Sequence, residues 1–427
     1  MSKIASLAGR PGPLAGHLVL EMCGDEPSGT FGTQILADLG ATVLKLERPP
    51  RDEPAPTVLA EGEKVPRDIA YAFGLNRNKR SLCLDLKQQR GRDIFRALVG
   101  QASVAYDNYT PSTAKRLGID AESLRAVNPS LICCSVSGFG QTGPWSALPA
   151  YDATIQALGG GMSITGTGRA EDPPVRWGNP IGGIGGALYA ALGILVALRR
   201  QRAQEGAPGA SLDISLLDAQ LAMHAYRVPQ VHGGARFAAT PHRGGNGAMP
   251  YGPFLAGDGR WFVLGITSQF WAKACEVLGH PEWREDPRFR TQDDRQANEA
   301  ALNAAVTQAM QGADADEWQR RFVAAGIPGA KVATIPEAFE HPHVAMRDML
   351  AGFDHPIGGR LRVAGDPIKL SDHPGIGFRA APGLGADTVA VLRDLLGLPE
   401  GECETLREAR TVWWPREGEV HTRPSVV

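Results

Sequence analysis

No two of the six cysteines in this 427-residue sequence stand at a metal-ligand or CxxC spacing. Most of Cys23, Cys83, Cys133, Cys134, Cys275 and Cys403 lie in apolar runs, which reads as buried thiols in a reducing cytoplasm. The ten histidines form no HExxH motif and no cluster, so no metal site is expected. Neither sign of charge is in excess: 44 Lys+Arg stand against 46 Asp+Glu, a net charge of -2. That balance excludes bulk attraction to nucleic acid or an anionic membrane, and an anionic ligand would need a local basic cluster. The first residues, MSKIASLAGRPGPLAGH, lack a signal-peptide core, and no apolar run reaches the length of a membrane span. Internal repeats are absent. So is GxGxxG: Gly24, Gly29 and Gly32 have the wrong spacing for a dinucleotide site, though they leave open a phosphate cradle at a helix start.

What is present is an alternation of strand and helix patterns. His17–Met22, Thr42–Leu46, Ser81–Leu86, Ser103–Tyr106 and Leu131–Val136 read as strands. Thr30–Leu39 and Gln89–Val99 between them read as helices, with Gly40 suited to end the first. This order predicts an α/β fold with a parallel sheet and right-handed crossovers. A helix starts near Tyr151. The run Gly182–Arg199 is apolar on nearly every face and reads as a buried core helix, and Ala210–Ile214 as a further strand. Gln230–Gly252, rich in Gly, His, Asn and Pro, reads as a functional loop or domain junction. The expected division is a large domain over 1–228, a small one over 229–330, and a return to the large domain over 331–427, ending in an extended tail after about Arg410.

Two short segments are candidates for ligand contact. Leu75–Arg80 (LNRNKR) gathers three basic residues before a strand; it is either a solvated turn or a phosphate site using Lys79, Arg77 and Arg80. Asp107–Pro111 (DNYTP) follows a strand end, where ligands collect in an open α/β sheet. It reads equally as an Asx-type turn or as a place where Tyr109 stacks on a base.

In order along the chain, Leu36–Pro49 (LADLGATVLKLERP), Leu75–Lys87, Asp107–Ser112 with Lys115–Asp120 (KRLGID), Ser137–Pro144 (SGFGQTGP), Tyr151–Asp152, Gly159–Gly166, Leu212–Ala219, Tyr251–Gly265, Ala325–Val332, His341–Leu350 and Leu370–Gly375 resemble the segments of one family. It is the family III CoA-transferases, the CaiB/BaiF group that includes formyl-CoA transferase and α-methylacyl-CoA racemase. The resemblance implies a large Rossmann-like domain built from both chain ends, a smaller inserted α+β domain, and two subunits interlocked like rings. Such a dimer would be obligate. It also implies that coenzyme A or an acyl-CoA is the substrate, with no metal, and that Arg48, Lys79 and Arg116 approach its phosphates while Asn108 and Tyr109 lie near the adenine.

The family's transferases use an aspartate just before the apolar helix as nucleophile, passing through a mixed anhydride and an aspartyl-CoA thioester. Here Gly183 stands at that position, and there is no Asp between Asp172 and Asp213. Glu205 lies beyond the helix and is a poor substitute. The first strand–helix loop, Cys23-Gly24-Asp25-Glu26-Pro27-Ser28, lacks the His and Gln of formyl-CoA transferases, and the glycine flap is shortened to Gly247-Ala248. Tyr151 replaces the histidine of the racemases, and its ordinary pKa is far from that of a base. Asp152 reads either as a helix N-terminal acid or as a pocket carboxylate. The favoured expectation is a nucleophile-lacking subunit of a heteromeric CoA-transferase, like the succinyl-CoA:(R)-2-benzylsuccinate enzyme, paired with a catalytic homologue and forming no enzyme–CoA thioester itself. The alternatives are an active homodimeric transferase, isomerase or lyase of unusual mechanism, and a non-catalytic acyl-CoA-binding protein.

Overall fold

The computed structural model describes residues 11–52, 65–204, 206–237, 239, 249–356, 359–372 and 377–421. The apolar runs of the first half form β1 (Leu18–Met22), β2 (Thr42–Glu47), β3 (Arg80–Leu84), β4 (Val104–Asp107), β5 (Ile132–Ser137) and β6 (Ser211–Ser215). These six are parallel, in the order β3-β2-β1-β4-β5-β6. The order reverses between β1 and β4, which opens a crevice at the carboxyl ends of the strands. β1 is buried throughout because both its faces are covered. Leu18, Leu20 and Met22 enter one core with Ile94, Phe95 and Leu98, and Val19 enters the other with Leu36 and Ile194.

Helix α1 (Pro27–Asp38) begins at a proline, whose missing N–H costs nothing in a first turn, and ends before Gly40 at φ +101°. Next come α2 (Arg67–Leu75), α3 (Gln89–Val99), α4 (Pro111–Leu117), α5 (Ala121–Val127) and α6 (Asp152–Leu158). Helix α7 (Ile181–Ala203) then packs on α1 and on α8 (Leu216–Ala222). The backbones of α1 and α7 pass so closely that a Cβ on Gly32 would stand 2.9 Å from the Ala187 carbonyl oxygen. Gly32 therefore serves close helix packing rather than a phosphate cradle.

α7 departs from expectation in two ways. Its 23 residues are long and apolar enough by length alone to cross a membrane, although 56% of its most apolar stretch is buried inside the fold. It is also not buried all round: Leu188, Leu192 and Val196, one stripe at i, i+4, i+8, are 49%, 56% and 62% exposed.

The chain divides into two compact units, one of residues 1–161, 176–235 and 346–427, the other of 162–175 and 236–345. The boundaries thus differ from 228/229 and 330/331. The second unit takes residues 162–175 from the first stretch of chain and ends near 345. It contains the antiparallel strands β7 (Tyr251–Leu255), β8 (Trp261–Gly265) and β9 (Gly329–Lys331) beside helices, around Phe254, Phe262, Trp271 and Trp318. The returning chain forms the hairpin β10 (Leu350–His355) and β11 (Gly359–Ala364), then β12 (Val412–Trp413). β12 corrects the expectation of an extended tail: it pairs antiparallel with β3, and Trp413 packs on Cys83 and Leu384. The shortened glycine flap and Glu205 lie outside the described residues.

Candidate functional site

The basic run before β3 does not face a ligand. Lys79 is fully buried, and its ammonium donates to Glu21 Oε2 at 2.8 Å, Thr30 Oγ1 at 2.7 Å and the Thr30 carbonyl at 2.9 Å. The expected phosphate contact from Lys79 is therefore corrected, because its three protons are already directed at protein acceptors. Arg77 pairs with Asp38 at 2.7 Å and lies over the Phe378 ring, and Arg80 pairs with Asp387 at 2.7 Å. All three cations are structural.

Glu21 is the hub of this network. The β1–β2 register sets it beside Lys45, whose ammonium reaches Glu21 Oε1 at 2.8 Å, and Thr30 and Thr33 of α1 both donate to it. Burial alone would raise the Glu21 carboxyl, but Lys45 and Lys79 hold it well below the usual carboxylate range. Burial pulls Lys79 down to about 8 against the attraction of Glu21. Lys45 also contacts Asp25 at 3.2 Å, and Asn76 donates to Asp25 at 2.8 Å. The network thereby fixes the loop that joins β1 to α1.

At the carboxyl ends of β1, β2 and β3 lies a cavity of about 210 Å³, lined by Met22, Leu46, Glu47, Arg48, Leu84, Lys87, Tyr109 and neighbours. Two expected residues, Arg48 and Tyr109, meet there. Arg48 is exposed and makes no hydrogen bond or ion pair among the described residues. Lys87, which sequence reasoning missed, adds a second cation; its only signal was its place just past the β3 pattern. Arg116 is exposed in the last turn of α4 and does not line this cavity, though its neighbours Leu117 and Ile119 do. Asn108 packs against Gly29 at the start of α1.

Beneath Asn108 and Tyr109, Asp107 is buried at the end of β4. Burial pushes its carboxyl up to about 6, although Ser135 Oγ at 2.7 Å and the Tyr109 N–H at 3.1 Å pull it back. The native state therefore holds this proton more tightly than the unfolded chain does between about pH 4 and 6. Stability from this group is present below that window and lost as pH rises through 6. Asp107→Asn is expected to raise the unfolding free energy in urea at pH 7 by on the order of 2–3 kcal/mol, the gap closing as pH falls to 4. A gap independent of pH would contradict this.

The other end of the carboxyl edge is the start of α7. A Cβ on Gly183 would stand 3.4 Å from Ser28 N and 3.5 Å from Ser28 Cβ, so this helix start faces the β1–α1 loop. Asp152 crosses to it: Oδ1 accepts from the N–H groups of Gly182 at 2.9 Å and Gly183 at 3.2 Å, and Oδ2 from Gln156 at 2.7 Å. It caps α7 while standing in the first turn of α6, so its carboxylate is engaged. Tyr151 is 74% exposed. On the facing loop, Glu26 is exposed, precedes α1 in an extended conformation, and makes no side-chain cap. Beside Pro27 opens a larger apolar cavity of about 780 Å³, walled by Phe31 and Ile35 of α1, Tyr71 of α2, and Ile184, Leu188 and Leu192 of α7. No group of three or more His, Cys, Asp or Glu arranged to hold a metal occurs among the described residues.

The chain is similar to known proteins along most of its length. The profile of CoA-transferase family III matches residues 14–388. The succinyl-CoA–D-citramalate CoA-transferase of Chloroflexus aurantiacus is 32% identical over 94% of this chain and 98% of its own length. The acetyl-CoA:oxalate CoA-transferase of Acetobacter aceti is 35% identical over 85% and 90%. The human succinyl-CoA:glutarate CoA-transferase is 29% identical over 90% and 86%. Among solved structures, a CAIB/BAIF family protein from Brucella suis superposes with a TM-score of 0.77 at 29% identity, covering 90% of this chain and all of that one. The chain belongs to CoA-transferase family III, enzymes that move CoA between acyl-CoAs and carboxylic acids.

Proposed function

We propose that this chain binds an acyl-CoA along the carboxyl edge of its sheet and passes the CoA to a dicarboxylic acid. The observation that carries the reading is the cavity at the strand ends, which joins the Tyr109 ring to the cations Arg48 and Lys87. An aromatic face and charge-assisted donors are what an adenine and its phosphates require. The thioester end would then run past Asn108 and the β1–α1 loop toward Gly183. A dicarboxylic acceptor is supported by the relatives, whose names carry citramalate, oxalate and glutarate, and succinyl-CoA is the donor named in two of the three. Arg48→Ala and Arg116→Ala are each expected to weaken CoA binding by about 1.5–3 kcal/mol, roughly 10- to 150-fold, by calorimetric titration. Lys79→Met is expected to leave that affinity unchanged under conditions where it stays folded. Equal affinity in wild type, Arg48→Ala and Arg116→Ala would overturn the reading.

A second reading rests on Gly183. Without a carboxylate on α7, the chain would be the nucleophile-lacking partner of a catalytic homologue, with succinyl-CoA as donor and benzylsuccinate as an aromatic dicarboxylic acceptor. The exposed apolar stripe of Leu188, Leu192 and Val196 supports an obligate dimer in either reading, the interlocked dimer that the family resemblance suggests. The six cysteines, all free and buried, suit a reducing cytoplasm. Co-purification with a homologue bearing the aspartate, and activity confined to the mixed complex, would favour this second reading.

A further inference from the structure

We propose that Glu26 supplies the nucleophilic carboxylate that α7 lacks, an inference that rests on CoA lying along the carboxyl edge as proposed above. Other carboxylates near that edge are engaged: Glu47 accepts from Ser81, and Asp85 from the Lys87 N–H and Gln88. Asp152 is held by two backbone N–H groups and Gln156, and Asp25 by Lys45 and Asn76. Asp107 is buried beneath Tyr109. Glu26 alone of these is exposed, and among the described residues its side chain has no hydrogen bond or ion pair, although its backbone carbonyl accepts from Gly29 and Thr30.

Its position fits the role. Glu26 lies two residues before Ser28, the residue that a Cβ on Gly183 would touch at 3.4 Å. Its extended backbone, φ -87° and ψ 145°, and its missing side-chain cap leave the carboxylate outside the turn of α1. The next residue, Pro27, lines the large apolar cavity together with Tyr71. Glycine at 183 keeps open the volume into which an aspartate of α7 would project. On this proposal the glutamate of the facing loop, one methylene longer than an aspartate, reaches that volume from the side of Ser28.

The chemistry closes without a further reactant. A Glu26 oxygen attacks the thioester carbonyl carbon; the C–O bond forms, the C–S bond breaks, and CoA leaves as thiolate. The thiolate attacks the Glu26 side-chain carbonyl of the resulting anhydride, and the donor acid leaves as carboxylate. The acceptor carboxylate then attacks this glutamyl-CoA thioester and releases the thiolate. The thiolate takes the acyl carbon of the new anhydride, restoring the Glu26 carboxylate.

The test uses the full chain with succinyl-CoA, trapped by borohydride or hydroxylamine and mapped by peptide mass. CoA affinity is measured in parallel. The expected result is modification at Glu26, lost in Glu26→Gln, with turnover falling on the order of a thousandfold or more while CoA affinity stays within about twofold. Glu26→Asp should retain part of the turnover. Modification at another residue, or turnover retained in Glu26→Gln, overturns the proposal. So does a wild-type chain that binds CoA but forms no adduct. Failure to bind CoA at all would instead strike the underlying reading.

Discussion

Gly183→Asp in the Glu26→Gln background is expected to regain CoA-transferase turnover by about 100-fold or more over Glu26→Gln alone, with the covalent CoA moving to the substituted position. The steric cost is small. The added Cβ would meet Ser28 at 3.4–3.7 Å, ordinary contact distances, and Gly183 does not require positive φ. Position 183 is in the first turn of α7, where a carboxylate gains about 0.3–1 kcal/mol from the helix dipole. Asp152 already occupies that helix start and opposes the gain. Stability should therefore shift by no more than about 1 kcal/mol in urea. Intact-mass trapping and a coupled CoA-transfer assay read the outcome. A folded, CoA-binding double variant with no turnover and no adduct would mean that the volume between Ser28 and Gly183 is not where the thioester lies.

Glu21→Gln is expected to cost about 3–5 kcal/mol of stability. Glu21 is fully buried between Lys45 and Lys79, so losing its charge leaves two buried ammonium groups with one fewer counter-ion. Replacing Glu21, Lys45 and Lys79 together with apolar residues of similar volume should cost far less, because the penalty arises from unpaired charge rather than from loss of the network. Urea denaturation of the single and triple variants separates the two. A Glu21→Gln loss below about 1 kcal/mol would place the network among ordinary surface pairs.

That network explains much of what the sequence concealed. The run Leu75–Arg80 announces its charge, but not that Glu21, Asp38 and Asp387 return to neutralise it, the last from more than 300 residues away. Charge in a short window says nothing about distant counter-ions. The strands β1, β4 and β5 were legible because burial on both faces leaves nearly continuous apolar runs, and α3 because its apolar spacing is strict. β12 was not, since two residues of an edge strand carry no periodicity. α7 misled by the same rule that usually serves: apolarity all round indicates full burial, yet here one apolar stripe is exposed on the single chain. At the site, Arg48 and Tyr109 were marked by family resemblance. Lys87 and Glu26 needed the sheet order, which alone brings the ends of β3 and β1 to one edge. The two roles left open for Asp152 resolve into one carboxylate in the first turn of α6 that caps α7.

With Glu26 as nucleophile, this chain carries CoA transfer by itself, without a carboxylate on α7. The direct measurement is transfer from succinyl-CoA to a panel of dicarboxylic acids by the chain purified alone, followed by mass detection of the product CoA esters. The expected result is a new dicarboxylyl-CoA from the lone chain. No product from the lone chain, with product appearing once a homologue bearing the α7 aspartate is added, would contradict it and place the chemistry in the partner.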